Sequence, residues 1–558
     1  MGARTPRRSR MPRAVGALAL LGVVALAVVA VWPGDFGYDD EYGYGQVSWM
    51  GAAGGLISRH GGRGRPQERR GQVSASRAAT VDSGIPFEVA SNIDFGDATA
   101  ISADGGTFAM GAPLATIERQ ARVGIAFVFQ VPSTPGANAT LIQTFLPEVV
   151  APNTYFGEAV ALDGSGQSLV LGATHARGTG TVEVYSRDAA GGTVAYTRIQ
   201  TVRPNVAELG VDNIPIRFGH TVALTVDGRT LVVGAPQFGL DDEGALYVFS
   251  RPDVVGAFGL SERLAPKIPA GWRCDNCRLG ESLGVSNNGG AVVAGAPGYV
   301  LNQQYDGQNR RIAGIDSAGG VFFFERVSGG RRYEARDPAA LETPLINGKF
   351  GTAVAISGDG LAVVATADSA GSTGATLYHM NAQPQNGWPT LPVAVPSFPL
   401  NITIDSVSLA LSGTGNVLAA GSSRGIPNVP PSQTALAFDI GAVLFFEGNG
   451  AVGTYERTST IVDVTGNLEI GQSFGKTVAL SRDASSVSIG APAARSSFNG
   501  KGFVYRTGLS QQVATDARAS TDVIEGVGAN SPPSAGTSAR LGWAAALGAA
   551  LVLAALQW

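Results

Sequence analysis

The sequence predicts an all-β protein whose central part is a seven-bladed β-propeller of four-stranded blades. Three observations predict it: a unit of about 63 residues recurs seven times, each copy contains a hairpin with a tight turn, and the chain is rich in glycine and poor in charge. Glycine accounts for 77 of the 558 residues, and charged residues for only 15%. Short strands joined by tight turns produce such a composition, and 44% hydrophobic residues exclude a chain that is disordered throughout.

Two short motifs mark each copy at a constant distance. A Phe-Gly pair, or a degenerate equivalent, begins the copy, and a Gly-Ala-Pro-like triplet begins sixteen residues after it in every copy. The seven copies begin at Phe95, Phe156, Phe218, Leu279, Phe350, Asp405 and Phe474. Because the spacing never varies, the residues between the two motifs must form one rigid unit.

The residues around these motifs predict four strands in each copy. In the third copy, two apolar runs flank Asp227-Gly228, a pair that tolerates the positive φ of a hairpin turn. A third strand follows, in which a glycine precedes an aromatic residue by five positions, as in Gly244 and Phe249. His379 takes the aromatic position in the fifth copy, so we expect it to be a packed core residue. A weaker apolar stretch closes each copy.

The Phe-Gly and Gly-Ala-Pro unit resembles the FG-GAP repeat of the integrin α-chain propeller, over roughly residues 84–510. The resemblance implies that the first strand of each blade is innermost and that residues before the first copy complete the last blade. We therefore expect Pro86–Ala90 to pair with Gly502–Arg506. It also implies that the connections between strands two and three share one face with the connections between blades, which is the ligand face in integrins.

In many repeats of this family, a loop with several aspartates between strands one and two binds calcium. The corresponding loops here are short, and each carries a single carboxylate, as at Asp104, Asp163 and Asp359. Calcium takes six to eight oxygen ligands. We therefore expect no structural calcium in these hairpins, and the sequence indicates no other metal or cofactor.

The N-terminal segment predicts export from the cytosol. Five arginines and no acidic residue precede an uncharged apolar run of nineteen residues, 14–32, which is long enough to approach the ~30 Å hydrocarbon core of a bilayer. We expect residues 1–32 to be a signal peptide or a signal anchor that forms an apolar helix. Residues 33–83 show neither strand nor helix periodicity and are predicted to be a flexible, low-complexity stalk.

The C-terminal segment predicts attachment to a membrane. Residues 541–558 are uncharged and apolar, residues 511–540 form a linker, and small residues beginning at Gly528 suit the attachment of a lipid anchor. Two interpretations stay open for the tail: a glycolipid-anchor signal with attachment at Gly528, or a plain transmembrane helix. Either one places the protein on the membrane, at the extracellular side of the cell surface.

Two long connections between strands two and three predict a binding site. They lie in copies four and six, at 298–318 and 424–440, whereas the connection in copy five is short, so they would form the two walls of a notch. Aromatic and arginine side chains are frequent anchors of protein recognition. The candidate binding residues are Tyr299, Tyr305, Asp306, Arg310, Arg311, Arg424, Phe438 and Asp439. The alternative is that these loops are tolerated insertions with solvated charges.

Two further patterns fit a secreted protein. Cys274 and Cys277 lie in the connection into the fourth blade, and in an exported chain a local disulfide is favoured over a redox or a zinc site. Glycosylation sequons occur at Asn138 and Asn401. A glycan at Asn401 would stand close to the sixth blade.

Catalysis receives no support from the sequence. The known nucleophile, zinc-protease and phosphate-loop motifs are missing, so we predict no catalytic residues. Of the four histidines, His175 and His220 could line the face of the ring, but neither has a carboxylate neighbour in sequence. The net charge of −4 argues against binding of nucleic acid.

Three functional hypotheses follow. The first is a membrane-tethered extracellular propeller that binds a protein or glycan partner in adhesion or surface recognition. The second is a propeller enzyme, a hydrolase or lyase, with its site in the central channel. The third is a structural surface-coat protein without a specific ligand.

Overall fold

The structure, a computed structural model, describes residues 76–81 and 93–507 apart from 133–138, 188–194, 205–214, 309, 329, 369–374, 383–387, 390, 396–406, 424–440, 450–453, 462–472 and 493–499. All described residues belong to one compact unit, 69–558. The predicted apolar helices at 14–32 and 541–558 and the predicted anchor site Gly528 lie outside them. Among the described residues, no helix has the length and hydropathy needed to cross a bilayer.

Seven four-stranded antiparallel sheets form the seven blades, which confirms the predicted propeller. The first strand in the chain is β1 (Ser76–Val81). Blade one contains β2 (Ala98–Ile101), β3 (Thr107–Ala112), β4 (Ile125–Gln130) and β5 (Thr140–Phe145). Blade two contains β6 (Phe156–Leu162), β7 (Ser168–Ala173), β8 (Thr181–Ser186) and β9 (Thr197–Val202), with a short 3-10 helix at Ala176–Gly178. Blade three contains β10 (Thr221–Leu224), β11 (Thr230–Ala235), β12 (Ala245–Ser250) and β13 (Gly259–Leu264).

The remaining blades repeat the order. Blade four contains β14 (Ser282–Val285), β15 (Ala291–Ala296), β18 (Gly320–Arg326) and β19 (Tyr333–Ala335), and its extra strands β16 (Leu301–Tyr305) and β17 (Arg311–Ile315) form a separate two-stranded sheet. Blade five contains β20 (Val354–Ile356), β21 (Ala362–Asp368), β22 (Ala375–Asn381) and β23 (Val393–Ala394). Blade six contains β24 (Val407–Leu411), β25 (Val417–Ser422), β26 (Ala442–Asn449) and β27 (Thr454–Ile461). Blade seven contains β28 (Thr477–Leu480), β29 (Ser486–Ala491) and β30 (Lys501–Arg506).

The fourth strand of blade seven is β1, so the N-terminal side of the chain closes the ring. Ser76–Val81 pairs antiparallel with β30, from Ser76 opposite Arg506 to Val81 opposite Gly502. The prediction that Pro86–Ala90 makes this pairing is wrong, because β29 and β1 already occupy both edges of β30. The stretch 33–83, predicted to be a stalk, therefore contributes a strand at its end, and the propeller begins before residue 84.

The Phe-Gly motif joins neighbouring blades. Among the described residues, the first residue of the motif bridges the glycine before the third strand of the preceding blade in five copies, as in Phe156 with Gly124 and Phe350 with Gly319. Phe95 of blade one bridges Gly500 of blade seven in the same way, which completes the circle. The motif side chains described at these positions are buried among the aromatic residues of the third strands. The aromatic positions predicted in the third strands therefore belong to the core.

His379 packs in this core as expected. It lies in β22, is 9% exposed, and meets the Tyr455 ring edge-on at 6.3 Å. Burial lowers its pKa, because the charged imidazolium is disfavoured away from water. Histidine here fills an aromatic position.

The antiparallel order gives the propeller two distinct faces. The upper face, as we name it, carries the Phe-Gly motifs, the connections between strands two and three, and those between blades. The lower face carries the hairpin turns between strands one and two. There, backbone hydrogen bonds link six of the seven neighbouring pairs of blades, for example from Ala103 N to Gly164 O at 3.0 Å and from Arg482 N to Ala103 O at 3.1 Å. These bonds draw the blades together at the lower end of the central channel.

Candidate functional site

The long connection of blade four folds into a hairpin on the upper face. β16 and β17 pair antiparallel, with Leu301 opposite Ile315 and Tyr305 opposite Arg311. Asp306 closes the turn by accepting backbone hydrogen bonds from Gln308 and Arg310, both at 2.9 Å. We name residues 298–318 the blade-four hairpin. Apart from residue 309, which lies outside the described residues, it is built from two paired strands and a turn.

The predicted cysteine pair supports this hairpin. Cys274 and Cys277 form a disulfide, and the carbonyl oxygen of Cys277 accepts a hydrogen bond of 3.2 Å from Gly298 N. Gln303, buried in β16, accepts from Arg273 N at 2.8 Å and donates to Arg273 O at 2.6 Å. The connection into blade four thus holds the base of the hairpin through backbone and side-chain bonds.

The two tyrosines of the hairpin do not form an exposed aromatic surface. Tyr299 is 1% exposed and packs against Phe322, with ring centroids 5.4 Å apart, so its prediction as a binding residue is corrected: it is part of the core. Tyr305 is half-buried; its hydroxyl donates to Gln303 at 2.6 Å, and the Arg273 guanidinium lies 5.1 Å from its ring centroid. Sequence reasoning could not separate these roles, because both tyrosines lie in one loop.

The charged residues predicted in the hairpin do reach solvent. The side chain of Arg310 is 73% exposed and pairs with Asp306 at 2.8 Å, and that of Arg311 pairs with Asp316 at 2.5 Å. Hydrogen bonds from the backbone and side chain of Arg310 lower the pKa of Asp306. The opposite wall of the predicted notch, with Arg424, Phe438 and Asp439, lies outside the described residues, as do the sequons at Asn138 and Asn401.

Three exposed aliphatic side chains occur on the upper face in neighbouring blades. Leu240, Ile312 and Ile346 are 86%, 65% and 71% exposed. Backbone bonds hold two of these segments against blade four: Asn276 N, in the connection into blade four, donates to Asp241 O after Leu240, and Asn347 N donates to Asp316 O in the blade-four hairpin at 2.8 Å. We name these three residues the aliphatic row. Sequence analysis missed it, although each residue stands in a connection that the repeat assigns to this face.

A second feature of the upper face surrounds the mouth of the central channel. The residue that follows each Phe-Gly motif is polar in most blades. In order from blade one to blade seven these residues are Asp97, Glu158, His220, Glu281, Thr352, Val407 and Lys476. Electrostatic interactions connect Asp97 with Lys476, Glu158 and His220, the equivalent residues of three other blades. We name this set the mouth ring.

His220 lies between two carboxylates of the mouth ring. Its Nδ1 is 3.0 Å from Glu158 Oε1, and its Nε2 is 3.6 Å from Glu281 Oε1. Arg217 Nη2 is 2.7 Å from Glu158 Oε1, and Arg278 Nη2 is 3.0 Å from Glu281 Oε2. His220 thus has carboxylate partners from blades two and four, which its sequence neighbours did not reveal. His175 instead packs on the ring of Tyr155, with centroids 5.0 Å apart.

The pKa values of this group follow from its pairing. Burial alone would raise the pKa of Glu158, but the hydrogen bond and charge of His220, with the charge of Arg217, outweigh it and lower the pKa to about 2. The pKa of Glu281 is lowered to about 2 against the same effect of burial. For His220, burial favours the neutral form, yet Glu281 and Glu158 raise its pKa above the ordinary value of 6.5.

This pairing predicts a pH dependence of stability. Because folding raises the pKa of His220, its pairing stabilises the folded state fully below pH 6.5, and this stabilisation is lost as the pH rises through the pKa of the folded state. Because folding lowers the pKa of Glu158, its pairing stabilises the folded state fully above pH 4.5, and this stabilisation is lost as the pH falls toward about 2. We therefore expect the gap in melting temperature between wild type and His220→Gln to shrink from pH 5.5 to pH 9, measured by differential scanning fluorimetry. His175→Gln is the control; a gap that stays constant for His220→Gln would contradict the expectation.

The fold and its upper face define a class of protein: a seven-bladed β-propeller with a disulfide-supported projection beside a charged channel mouth. A scan against protein-family models and a search of curated proteins found no match to this chain. The resemblance to the FG-GAP repeat therefore depends on the motif residues. Among the described residues, no group of three or more histidine, cysteine, aspartate or glutamate side chains is arranged to hold a metal ion.

Proposed function

We propose that this protein is a membrane-tethered extracellular propeller of the FG-GAP type that binds a protein partner through its upper face. The blade-four hairpin carries the proposal, because backbone and side-chain bonds at its base support a strand in which Ile312 directly follows Arg310 and Arg311. An ordered side chain loses less entropy when it binds than one on a free loop. Arginine beside exposed apolar surface is typical of protein interfaces.

A protein partner is favoured over a glycan. Stacking on a sugar ring needs an open aromatic face, but Tyr299 is buried and Arg273 lies over Tyr305. The aliphatic row adds apolar area on the same face, across blades three to five. A side chain of another protein can bury such surface, whereas a hydrated sugar gains little from it.

The extracellular location is part of the proposal and has separate support. The basic and then apolar N-terminal segment is typical of export, and the Cys274–Cys277 disulfide suits an oxidising compartment. The apolar residues 541–558 would hold the protein at the membrane as a glycolipid-anchor signal or a transmembrane helix. Adhesion is the cellular role that such a tethered module would serve.

The catalytic alternative has weaker support. With pKa values of about 2, Glu158 and Glu281 are poor bases at neutral pH, and both nitrogens of His220 face carboxylates. Asp94, beside the mouth ring, has its pKa raised to about 7, chiefly by burial, which is the observation that keeps a catalytic role open. The structural-coat alternative predicts that the upper face has no specific partner.

Site-directed photo-crosslinking on intact cells tests the proposal. A photo-reactive residue at position 312 is expected to form an adduct with a partner protein that a membrane-impermeant reagent also labels. The double variant Arg310→Ala and Arg311→Ala should reduce the yield of this adduct at least about tenfold. The same residue at Leu260, 47% exposed on the outer strand of blade three, is the matched control. Equal adducts from both positions, or none from position 312, would support the coat protein instead.

A further inference from the structure

The chain enters and leaves blade seven at the lower face. β1 begins at Ser76, which lies opposite Arg506 at the end of β30. Thr507, the last residue that the structure describes, donates from its backbone N to Ser485 O at 2.9 Å, in the hairpin turn of blade seven. That turn belongs to the lower face. The chain therefore departs from the lower face on its way to the apolar residues 541–558.

Three neighbouring blades each present one exposed aliphatic side chain on this same face. Val255 lies in the connection between β12 and β13, Val327 in the connection between β18 and β19, and Leu361 in the hairpin turn between β20 and β21. They are 64%, 49% and 50% exposed. Strands one and three of a blade both run away from the upper face, so both kinds of connection lie at the lower face.

Arginines accompany the aliphatic side chain of blade four. Arg326 directly precedes Val327, and Arg331 and Arg332 end the same connection; all three are exposed. The side chain of Arg326 donates to Asn288 O at 2.8 Å, which ties this connection to the hairpin turn of its own blade. Neither stretch, 326–332 or 286–291, contains an acidic residue, so the lower end of blade four is positively charged. We name the three aliphatic residues and these three arginines the lower patch.

Nearby carboxylates leave the charge of the lower patch available. Glu262 of blade three is 3.9 Å from the guanidinium of Arg332, whose side chain is 88% exposed. An exposed ion pair of this kind contributes little stability. Asp253 and Asp359, the acids beside the aliphatic residues of blades three and five, accept backbone hydrogen bonds within their own turns. The acids therefore stabilise turns, while the guanidinium groups reach solvent.

We propose that the lower patch binds the surface of the membrane, with its aliphatic side chains at the level of the lipid headgroups and its arginines donating to lipid phosphate. The inference rests on the membrane tether of the proposed function and adds an orientation to it. Apolar side chains combined with basic ones are typical of surfaces that lie in the membrane interface. A guanidinium group matches phosphate through two parallel hydrogen bonds.

A membrane is favoured over a second protein as the partner of the lower patch. The tether at 541–558 leaves from the same face, so it would hold this face close to lipid at a high effective concentration. Contacts that are weak one by one are then sufficient. The upper face, with the blade-four hairpin, is turned away from the bilayer, where a partner protein can reach it.

Quenching of a fluorophore by labelled lipid tests the orientation. Cys274 and Cys277 are bonded to each other, so a single cysteine added to the full chain takes the label. Vesicles of phosphatidylcholine and phosphatidylglycerol carry a lipid with a nitroxide at its headgroup. The labelled variants are Val327→Cys on the lower face, Ile312→Cys on the upper face, and Leu260→Cys on the outer strand of blade three, whose exposure of 47% matches that of Val327. Quenching at position 327 should exceed that at the other two at least about twofold, since interfacial side chains enter roughly 5–10 Å into the headgroup region.

A pair of arginine substitutions tests the charge of the lower patch. Arg331→Gln with Arg332→Gln should reduce the quenching at position 327 at least about twofold, because the attraction of both arginines to anionic lipid is lost. Sodium chloride at about 1 M should act on the wild-type arginines in the same direction, because it screens exposed charges. Arg310→Gln with Arg311→Gln, two adjacent arginines of the upper face, is the matched control and should leave this quenching unchanged.

Flotation of the same vesicles separates this inference from the proposed function. A full chain that does not float with the vesicles contradicts the membrane tether, and the inference with it. A chain that floats but shows equal quenching at positions 327, 260 and 312 keeps the tether and overturns the orientation. An emission shift at position 327 without quenching by lipid would assign the lower patch to a second protein. That result, or unchanged quenching after the substitution of Arg331 and Arg332, also overturns the inference.

Discussion

Replacing Gly490 with valine is expected to lower the free energy of unfolding by more than about 4 kcal/mol, the range that marks severe core disruption. Gly490 lies in β29 of blade seven, where the last blade meets the first. A Cβ atom at this position would lie 1.9 Å from Gly96 O and 2.5 Å from Thr477 Oγ1. Gly96 O belongs to the backbone of the chain where blades seven and one meet, so this clash could be relieved only if the two blades moved apart. Urea unfolding followed by intrinsic fluorescence measures the loss.

Gly259→Ala is the matched control. Gly259 lies in β13, the outer strand of blade three, and a Cβ there would meet only Ser250 O, at 3.9 Å. We expect this variant to stay within about 0.5 kcal/mol of wild type, as is usual for surface changes. A Gly490→Val protein that unfolds at the urea concentration of wild type would show that blades seven and one do not meet as described.

Deleting residues 76–81 is expected to cost about 3 kcal/mol or more of folding free energy. The deletion removes the fourth strand of blade seven and exposes the edge of β30, whose residues Phe503, Val504 and Tyr505 are buried in the core. Each backbone hydrogen bond of the lost pairing contributes about 0.5–1.5 kcal/mol. An open edge also promotes pairing with another chain, so soluble aggregates should increase. Urea unfolding and size-exclusion chromatography are the measurements.

Deletion of six residues from 63–68 serves as the control for chain length. That segment precedes β1, so the fourth strand of blade seven is retained. We expect its unfolding transition to match that of wild type. Equal stability of the 76–81 deletion and this control would mean that β1 does not close the ring.

Much of the fold was predictable because the relevant contacts are local and repeated. Gly96 N donates to Gly111 O at 2.9 Å, and Gly219 N to Gly234 O at 3.1 Å, so the constant spacing of the motifs is the length of one hairpin. The turn residues and aromatic positions act over similarly short separations. Seven repeats of one hairpin unit, each too small to bury its own apolar face, leave a closed ring as the arrangement that covers every face.

The closing strand was misplaced because its pairing is not local. Ser76 lies opposite Arg506, more than four hundred residues away along the chain, and its short segment carries no repeat motif. Cys274 and Cys277 were expected to bond because they are three residues apart, but their support of the blade-four hairpin depends on Gln303 in another segment. Proximity in sequence therefore decided which contacts could be predicted.

By itself, the sequence determined the class of fold and the number of blades, since both depend on residues at constant offsets within one repeat; the resemblance to the FG-GAP repeat predicted the face on which the long connections lie. Only the tertiary structure decided which side chains on that face are buried or paired and which are exposed to a partner. Tyr299 is buried because blade four packs over it, and His220 meets Glu158 and Glu281 because the blades converge at the channel mouth. Burial and charge pairing depend on the distances between blades, and those distances are set by the packing of the whole ring.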